Sequence, residues 1–83
     1  MERNFVLTAP HGLHARPAAN FVRFASTLPE KITIKFNNIE ADAKSIMAVM
    51  SLAVPAKAEF AIAAESVESL DKIEAYLKEN NLI

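Results

Sequence analysis

Both histidines of the chain lie in one short stretch, HGLHARPAAN, at positions 11–20. His11 and His14 are three residues apart, and Gly12, the only glycine of the chain, lies between them. Pro17 suits the first turn of a helix, because it lacks the amide hydrogen that would have no partner there. The leucine, alanine and arginine around His14 carry no acceptor for the free amide hydrogens of such a helix. The stretch therefore predicts an uncapped helix N-terminus with His14 just outside it.

The predicted helix start is suited to binding a phosphate or a carboxylate. Free amide hydrogens, the positive end of the helix macrodipole and the guanidinium of Arg16 would lie close together there. The neutral imidazole of His14 adds a nucleophile, so it could accept a phosphoryl group covalently. The stretch therefore predicts phosphoryl chemistry at His14, with Ala15, Arg16 and Pro17 around the phosphate.

Two other interpretations of the histidines stay open on spacing alone. A histidine that precedes a helix is often a solvated loop residue with no chemical role. His11 and His14 could also chelate a metal ion, but the chain has no cysteine and no acidic residue nearby in sequence to complete the ligand set. We therefore expect neither a metal nor another cofactor.

Hydrophobic periodicity predicts seven elements in the order β-α-β-β-α-β-α. Ser45 is suited to cap the second helix, and the Asn37-Asn38 pair is suited to a hairpin turn, because asparagine tolerates positive φ. The predicted elements are a strand over 5–9, a helix over 17–28, hairpin strands over 32–36 and 39–43, a helix after Ser45, a strand over 59–62 and a helix over 67–77 capped by Ser66 or Ser69. The order predicts an α+β open-faced sandwich, with a four-stranded, mainly antiparallel sheet covered on one face by three helices.

Composition restricts the partners and the compartment. At 83 residues the chain is expected to form a single domain over 1–83, and monomer is the default state. Nine basic and ten acidic residues give a net charge of -1, so no overall positive field favours nucleic acid or an anionic membrane. The absence of cysteine and of any long apolar run favours a cytoplasmic protein that is not inserted in a membrane.

Two stretches resemble the bacterial histidine-containing phosphocarrier family, HPr, of the phosphoenolpyruvate-dependent sugar phosphotransferase system. GLHARPAANFV is similar to its active-site signature, and KSIMAVMSLAV at 44–54 is similar to its regulatory-serine segment. The resemblance implies that His14 takes a phosphoryl group from enzyme I and passes it to the A domains of enzymes II, while Arg16 contacts the phosphate. The protein would then be a carrier rather than a stand-alone enzyme.

The second stretch implies regulation as well as docking. In the family the serine that matches Ser45 is phosphorylated by HPr kinase/phosphorylase, and the product acts with a catabolite-repression regulator; a plain N-cap also explains this serine. Ile46, Met47 and Met50 are expected to face outwards and to dock enzyme I and enzyme II domains, because a short helix that is apolar all round cannot bury every side. Arg23 is expected at the rim of that contact, although a solvated helix face also explains it, and for Met50 a core position is the alternative.

The chain also departs from the family pattern. His11 stands where serine, threonine or asparagine is usual, and we expect it to alter the pH dependence of an otherwise retained activity. Ala48, Ala53 and Pro55 stand where glycines are common, which predicts a stiffer short helix that ends by Val54. A regulatory module that works through Ser45 with little phosphotransfer is the alternative function. Nucleic-acid binding is disfavoured because the chain has no basic patch.

Overall fold

The computed structural model describes all 83 residues and contains the seven expected elements. The strands pair antiparallel throughout, in the order β1-β4-β2-β3. The elements are β1 (Glu2–Val6), α1 (Ala15–Ala25), β2 (Thr33–Phe36), β3 (Ile39–Asp42), α2 (Ile46–Leu52), β4 (Glu59–Ala63) and α3 (Val67–Glu79). The predicted α+β open-faced sandwich is confirmed.

One hydrophobic core of 21 buried residues lies between the sheet and the three helices. Ile34 and Ile62 are opposite each other on neighbouring strands β2 and β4, and both are fully buried. From the helices, Phe21 of α1 and Ile73 of α3 are buried in the same core. The helices thus bury the apolar face of the sheet, and the loop before α1 is held on a packed scaffold.

The first strand lies three residues closer to the N-terminus than the alternation predicts, because β1 runs over Glu2–Val6 and not over 5–9. The next residues leave the strand ladder but keep backbone partners: the Leu7 amide donates to the Ala58 carbonyl at 2.9 Å, and the Thr8 amide donates to the Leu82 carbonyl at 2.7 Å. The chain that leads towards the histidines is therefore tied down on both sides.

The first helix begins and ends earlier than predicted, at Ala15–Ala25 instead of 17–28. The hydroxyls of Ser26 and Thr27 donate to carbonyls of the preceding turn, at 2.8 and 2.6 Å. Side chains of this kind compete with the helical hydrogen bonds and favour a turn. The apolar spacing continues through the turn, which is why periodicity alone extended the helix.

Two turns confirm their sequence signals. Asn37 and Asn38 join β2 to β3 with φ values of 54° and 65°, as a two-residue hairpin turn requires. Ser66, rather than Ser69, caps α3, and its hydroxyl oxygen accepts the Ser69 amide at 3.2 Å.

A carboxylate adds to the cap of α3. Glu30, in the loop between α1 and β2, accepts the Glu65 and Ser66 amides at 2.7 and 2.8 Å and the Ser66 hydroxyl at 2.9 Å. Burial alone would raise the pKa of Glu30, but these hydrogen bonds outweigh it and lower the pKa below its usual value. The amides just before α3 thus find their acceptor in the Glu30 side chain, which is 35 residues from Glu65 in the sequence.

None of the three helices combines the length and the apolar character needed to cross a membrane.

Candidate functional site

The N-terminus of α1 has no side-chain cap. His14 occupies the N-cap position with extended backbone, φ -142° and ψ 168°, and no side chain accepts a hydrogen bond from the first turn. The first turn also contains no acidic residue. The predicted uncapped helix start is therefore confirmed, although the helix includes Ala15 and so begins two residues before Pro17. Its free amide hydrogens are available to an anion.

Ala15 has a left-handed backbone conformation, with a φ of 47°. An L-residue with a Cβ atom is disfavoured there by about 1 kcal/mol or more. The strain lies directly beside His14, at the point where the chain turns from an extended loop into the helix. The residue type does not indicate this conformation, because alanine does not favour positive φ.

The loop that carries the histidines is fixed against the segment after α2. Gly12 has a φ of +79°, and a Cβ atom there would lie 2.6 Å from the Val54 carbonyl oxygen. The next residue, Leu13, donates its amide to that same carbonyl at 2.8 Å. Only glycine allows this approach, so the single glycine of the chain sets the position of His14.

The imidazole of His14 is exposed and weakly held. Its Nδ1 lies 3.4 Å from the Gly12 carbonyl oxygen, which is long for a hydrogen bond and does not fix the tautomer. The ring of His11 lies nearby, with the two ring centroids 6.4 Å apart and the planes at 76°. The structure therefore brings both histidines to the same surface beside the helix start.

The surroundings of the histidines are cationic. No aspartate or glutamate occurs between Glu2 and Glu30 in the sequence. The ion pairs of the molecule are made by Arg3, Lys35 and Lys78, so the guanidinium of Arg16 is exposed and has no carboxylate partner. An unpaired guanidinium beside free amides attracts a phosphate group.

Two depressions in the surface differ in what they could bind. A small one of about 150 Å³ begins at Arg16 and runs between α1 and the end of α3; it is lined by Arg16, Pro17, Asn20, Tyr76, Asn80 and Leu82. The larger one, about 460 Å³, lies on the uncovered sheet face and contains Glu2, Glu40 and Glu59. The larger depression also contains Lys35, but Lys35 is paired with Glu2 and Glu40, so the depression at Arg16 is the one suited to an anion.

Ser45 is the N-cap of α2, as predicted. Its hydroxyl oxygen accepts the Ala48 amide at 3.3 Å, and the residue is half-buried. This contact explains a serine at the position without any modification. The regulatory role of Ser45 stays a prediction.

The outward face of α2 is apolar. Met47 is 78% exposed, Met50 is 42% exposed and Ile46 is 36% exposed, while Val49 and Leu52 are buried in the core. Met50 therefore belongs to the surface and not to the core. The structure confirms the orientation expected for the docking residues, and their partners stay predicted.

The helix α2 ends at Leu52, within the predicted limit of Val54, and Ala53 forms its C-cap with a φ of 51°. This left-handed position is one that glycine occupies without strain. The alanine is thus strained immediately before the carbonyl that contacts Gly12. The predicted stiffness of the helix stays a prediction.

Arg23 lies on the exposed face of α1 and donates to the Asn20 side-chain oxygen at 3.3 Å. Sequence analysis missed its neighbour Tyr76, whose ring stacks on Phe24 with centroids 4.4 Å apart. Burial raises the pKa of Tyr76, and the charge of Arg23 opposes part of that rise. The helical spacing of the apolar residues predicts α3, but it does not indicate that Tyr76 packs against α1.

Comparison with known proteins assigns the family. A family model described as the PTS HPr component phosphorylation site matches residues 1–79. The chain belongs to the HPr family. HPr is the phosphocarrier family of the phosphotransferase system, and it is the family whose signature residues 12–22 resemble.

Solved structures of HPr proteins have the same fold. The histidine-containing phosphocarrier protein of Mycoplasma is 31% identical, with a TM-score of 0.91, and the match covers 100% of this chain and 98% of that one. HPr from Bacillus anthracis is 34% identical, with a TM-score of 0.84 over 92% of this chain and 94% of its own.

Crh, the Bacillus subtilis catabolite repression containing protein, is also similar. It is 38% identical, with a TM-score of 0.71 over 86% of this chain and 85% of its own. That protein is described as a dimer formed by domain swapping. The expectation that the present chain is a monomer stays a prediction.

Proposed function

We propose that this HPr-family protein carries a phosphoryl group on His14, which it receives from enzyme I and passes to the A domains of enzymes II. The observation that carries the proposal is an exposed imidazole at a helix N-terminus that has no cap and no nearby carboxylate, with Arg16 alongside. We further propose that residues 1–83 act as one cytoplasmic domain without a metal or another cofactor.

The transfer forms a nitrogen–phosphorus bond at His14 and breaks the bond that joins the phosphorus atom to enzyme I. The lone pair of a His14 ring nitrogen attacks the phosphorus atom on enzyme I, a bond forms to His14, and the bond to enzyme I breaks. The proton of His14 stays on its other ring nitrogen. The Arg16 guanidinium and the amides of Ala15 and Arg16 stabilise the phosphoryl oxygens, while Pro17 shapes the turn and has no amide hydrogen to donate.

A carrier must release the group that it binds. His14, Ala15 and Arg16 are all exposed, and the depression at Arg16 is small and open on the surface. A site that held the phosphorylated form more tightly would slow the onward transfer, because the stabilised ground state must be overcome. An exposed acceptor with few phosphate contacts fits a relay between two proteins.

We propose that Ile46, Met47 and Met50 form the docking surface for both partners. Methionine side chains adapt to differently shaped surfaces, and these three residues make an exposed apolar group on α2. α2 packs against α1, so the group lies on the helix layer that also carries His14. Arg23, on α1, supplies a cation at the rim of the contact.

We also propose that Ser45 is a regulatory phosphorylation site for an HPr kinase/phosphorylase. A phosphate at the N-cap of α2 is favoured by the helix dipole, so the fold is retained, and its charge opposes docking at the adjacent Ile46 and Met47. The similarity to Crh, a catabolite repression protein, supports action with a catabolite-repression regulator. A regulatory module that works through Ser45 without phosphotransfer is the second candidate, but it gives the imidazole of His14 no chemical role, so His14 with Arg16 and Pro17 favours the carrier.

The test is incubation with phosphoenolpyruvate, magnesium and enzyme I from the same organism, followed by intact mass measurement. We expect one phosphate that is lost in acid and is absent in His14→Ala. His11→Ala, which removes the other histidine, still takes up one phosphate, while circular dichroism shows that both variants fold. No modification by an enzyme I that is active on another HPr would refute the carrier and leave the Ser45 module.

A further inference from the structure

We propose that His11, in its protonated form, contacts the phosphoryl group carried by His14 and stabilises the phosphorylated protein. The inference rests on the proposed carrier function and adds a second histidine to it. His11 acts there as a positioning residue for the phosphoryl group, while His14 remains the acceptor.

The two imidazole rings are placed for such a contact. Their centroids are 6.4 Å apart and their planes meet at 76°, so the edge of one ring faces the plane of the other. No hydrogen bond joins the two imidazoles, and both residues are exposed. A phosphoryl group on His14 can therefore meet a ring N–H of His11 after a rotation of that side chain, with no movement of the backbone.

The fold fixes the separation of the two residues. The turn between them is held by the Gly12 amide, which donates to Ala9 at 3.2 Å, and by Leu13, which donates to Val54 at 2.8 Å. No residue with a Cβ atom fits at Gly12, because the Val54 carbonyl oxygen occupies the space that the Cβ atom would need. His11 and His14 are thus held on a rigid turn and not on a freely moving loop.

His11 is free of ion pairs, although charged residues occur on the elements packed around it. No ion pair of the molecule includes His11. Charged and titratable residues lie on three segments near the turn. The segment 53–58, which packs on the turn, contains Lys57 and is followed by Glu59, and α1 contains Arg16 after His14. The C-terminal segment, which is hydrogen-bonded to Thr8 through Leu82, follows Lys78 and Glu79 of α3. Lys78 is already paired with Glu74. A protonated His11 therefore has no ion-pair partner within the molecule that would compete with the phosphoryl group.

This arrangement makes retention of the phosphoryl group depend on pH. Imidazole changes its charge in the physiological range, whereas the guanidinium of Arg16 does not. An imidazolium at position 11 attracts the phosphoryl oxygens, so acidic solution favours the phosphorylated protein. As the pH rises, the attraction is lost and onward transfer becomes easier.

The experiment is a competition for the phosphoryl group in one tube. Wild type and His11→Asn are mixed with a catalytic amount of phosphorylated enzyme I, and intact mass gives the ratio of phosphorylated to free protein for each. Enzyme I only transfers phosphoryl groups between the two HPr proteins, so the pH dependence of enzyme I itself does not change their ratio. Lys72→Gln, which removes an exposed cation of α3, replaces His11→Asn in the matched control.

We expect wild type to hold the phosphoryl group roughly fivefold better than His11→Asn at about pH 5.5, as one pair of charges about 4 Å apart in water would give. The preference should fall to about one at about pH 8.5 and stay at one for Lys72→Gln throughout. A pH-independent ratio near one for His11→Asn would overturn the role of His11. Absence of phosphate from every protein, with an active enzyme I, would instead refute the carrier function and this inference with it.

Discussion

The N-termini of α1 and α3 are satisfied in opposite ways. At α3, Ser66 caps the helix, the Glu30 carboxylate accepts two further amides, and Glu68 lies in the first turn. At α1, His14 occupies the N-cap position, no side chain accepts an amide, and no acid lies in the first turn. The same backbone requirement is met from within the protein at one helix and left to an outside anion at the other.

The start of α3 stabilises the fold, whereas the start of α1 is the place suited to chemistry. The α3 start holds the loop after α1 in place, because Glu30 joins that loop to the helix. The α1 start contributes no such contact and includes a strained Ala15. A helix start left without its own acceptors can bind and release a phosphoryl group, provided that the rest of the fold supplies the stability.

Arg16→Gln tests the chemical side of the comparison and should have the largest effect. The variant keeps a polar side chain of similar length but removes the charge and the forked donors, so we expect roughly a hundredfold slower phosphorylation by enzyme I. Rapid-quench measurement of phosphate incorporation gives the rate. The unfolding midpoint should stay unchanged, because Arg16 is exposed and unpaired; equal rates in the two proteins would contradict its role.

Gly12→Ala tests whether the turn is rigid. A Cβ atom would lie 2.6 Å from the Val54 carbonyl oxygen in a backbone conformation that alanine disfavours. We expect a loss of about 2 kcal/mol in the free energy of unfolding, measured with urea, together with slower phosphorylation. Ala9→Gly is a control for nearby loss of packing without the clash; an unchanged midpoint in Gly12→Ala would show that the turn can adapt.

Glu30→Gln should weaken the α3 start and leave the α1 chemistry intact. The amide retains one acceptor but loses the charge, so we expect a lower urea midpoint, a smaller change than in Gly12→Ala, and a normal phosphorylation rate. Glu30 has a folded-state pKa below its usual value near 4.5, so its contribution is present above that value and is lost as the pH falls through the folded-state pKa.

The stability difference between wild type and Glu30→Gln should therefore be constant from neutral pH down to the usual glutamate range and shrink in more acidic solution. Lys78 and Arg3 also lower the pKa of Glu74, so the wild type loses stability in acid by a second route. The difference between the two proteins isolates Glu30. A difference that grows as the pH falls would contradict the assignment.

Ala53→Gly should have the smallest effect and the opposite sign. Glycine adopts the left-handed C-cap conformation without strain, so we expect a gain of up to about 1 kcal/mol, after allowance for its greater freedom in the unfolded chain. Urea unfolding measures the gain, and Ala48→Gly, inside α2, should show a loss. A loss at Ala53 as well would show that its φ carries little strain.

Local signals in the sequence predicted much of the fold. The Asn37-Asn38 turn, the Ser45 cap and the uncapped helix at His14 each depend on residues within a few positions, and the structure confirms all three. Alternation and helical spacing gave the order of the elements, although the side-chain hydrogen bonds of Ser26 and Thr27 ended α1 early.

Long-range and backbone contacts could not be predicted. The Val54 carbonyl that fixes Gly12 is a main-chain atom that every residue type carries, so no pattern indicates it. Glu30 reaches Ser66 across 36 positions, and the positive φ of Ala15 contradicts its residue type. The arrangement around His14 therefore depends on packing contacts that the pattern of residues along the chain does not indicate.

The contrast between the two helix starts is tested most directly by amide NMR of the ¹⁵N-labelled protein before and after phosphorylation by enzyme I. The account predicts that the largest shifts occur at the Ala15 and Arg16 amides, which bind the phosphoryl oxygens, and that the Glu65 and Ser66 amides, already bonded to Glu30, do not move. Unmoved amides at Ala15 and Arg16 in a phosphorylated protein would contradict the claim that the uncapped start of α1 binds the phosphoryl group.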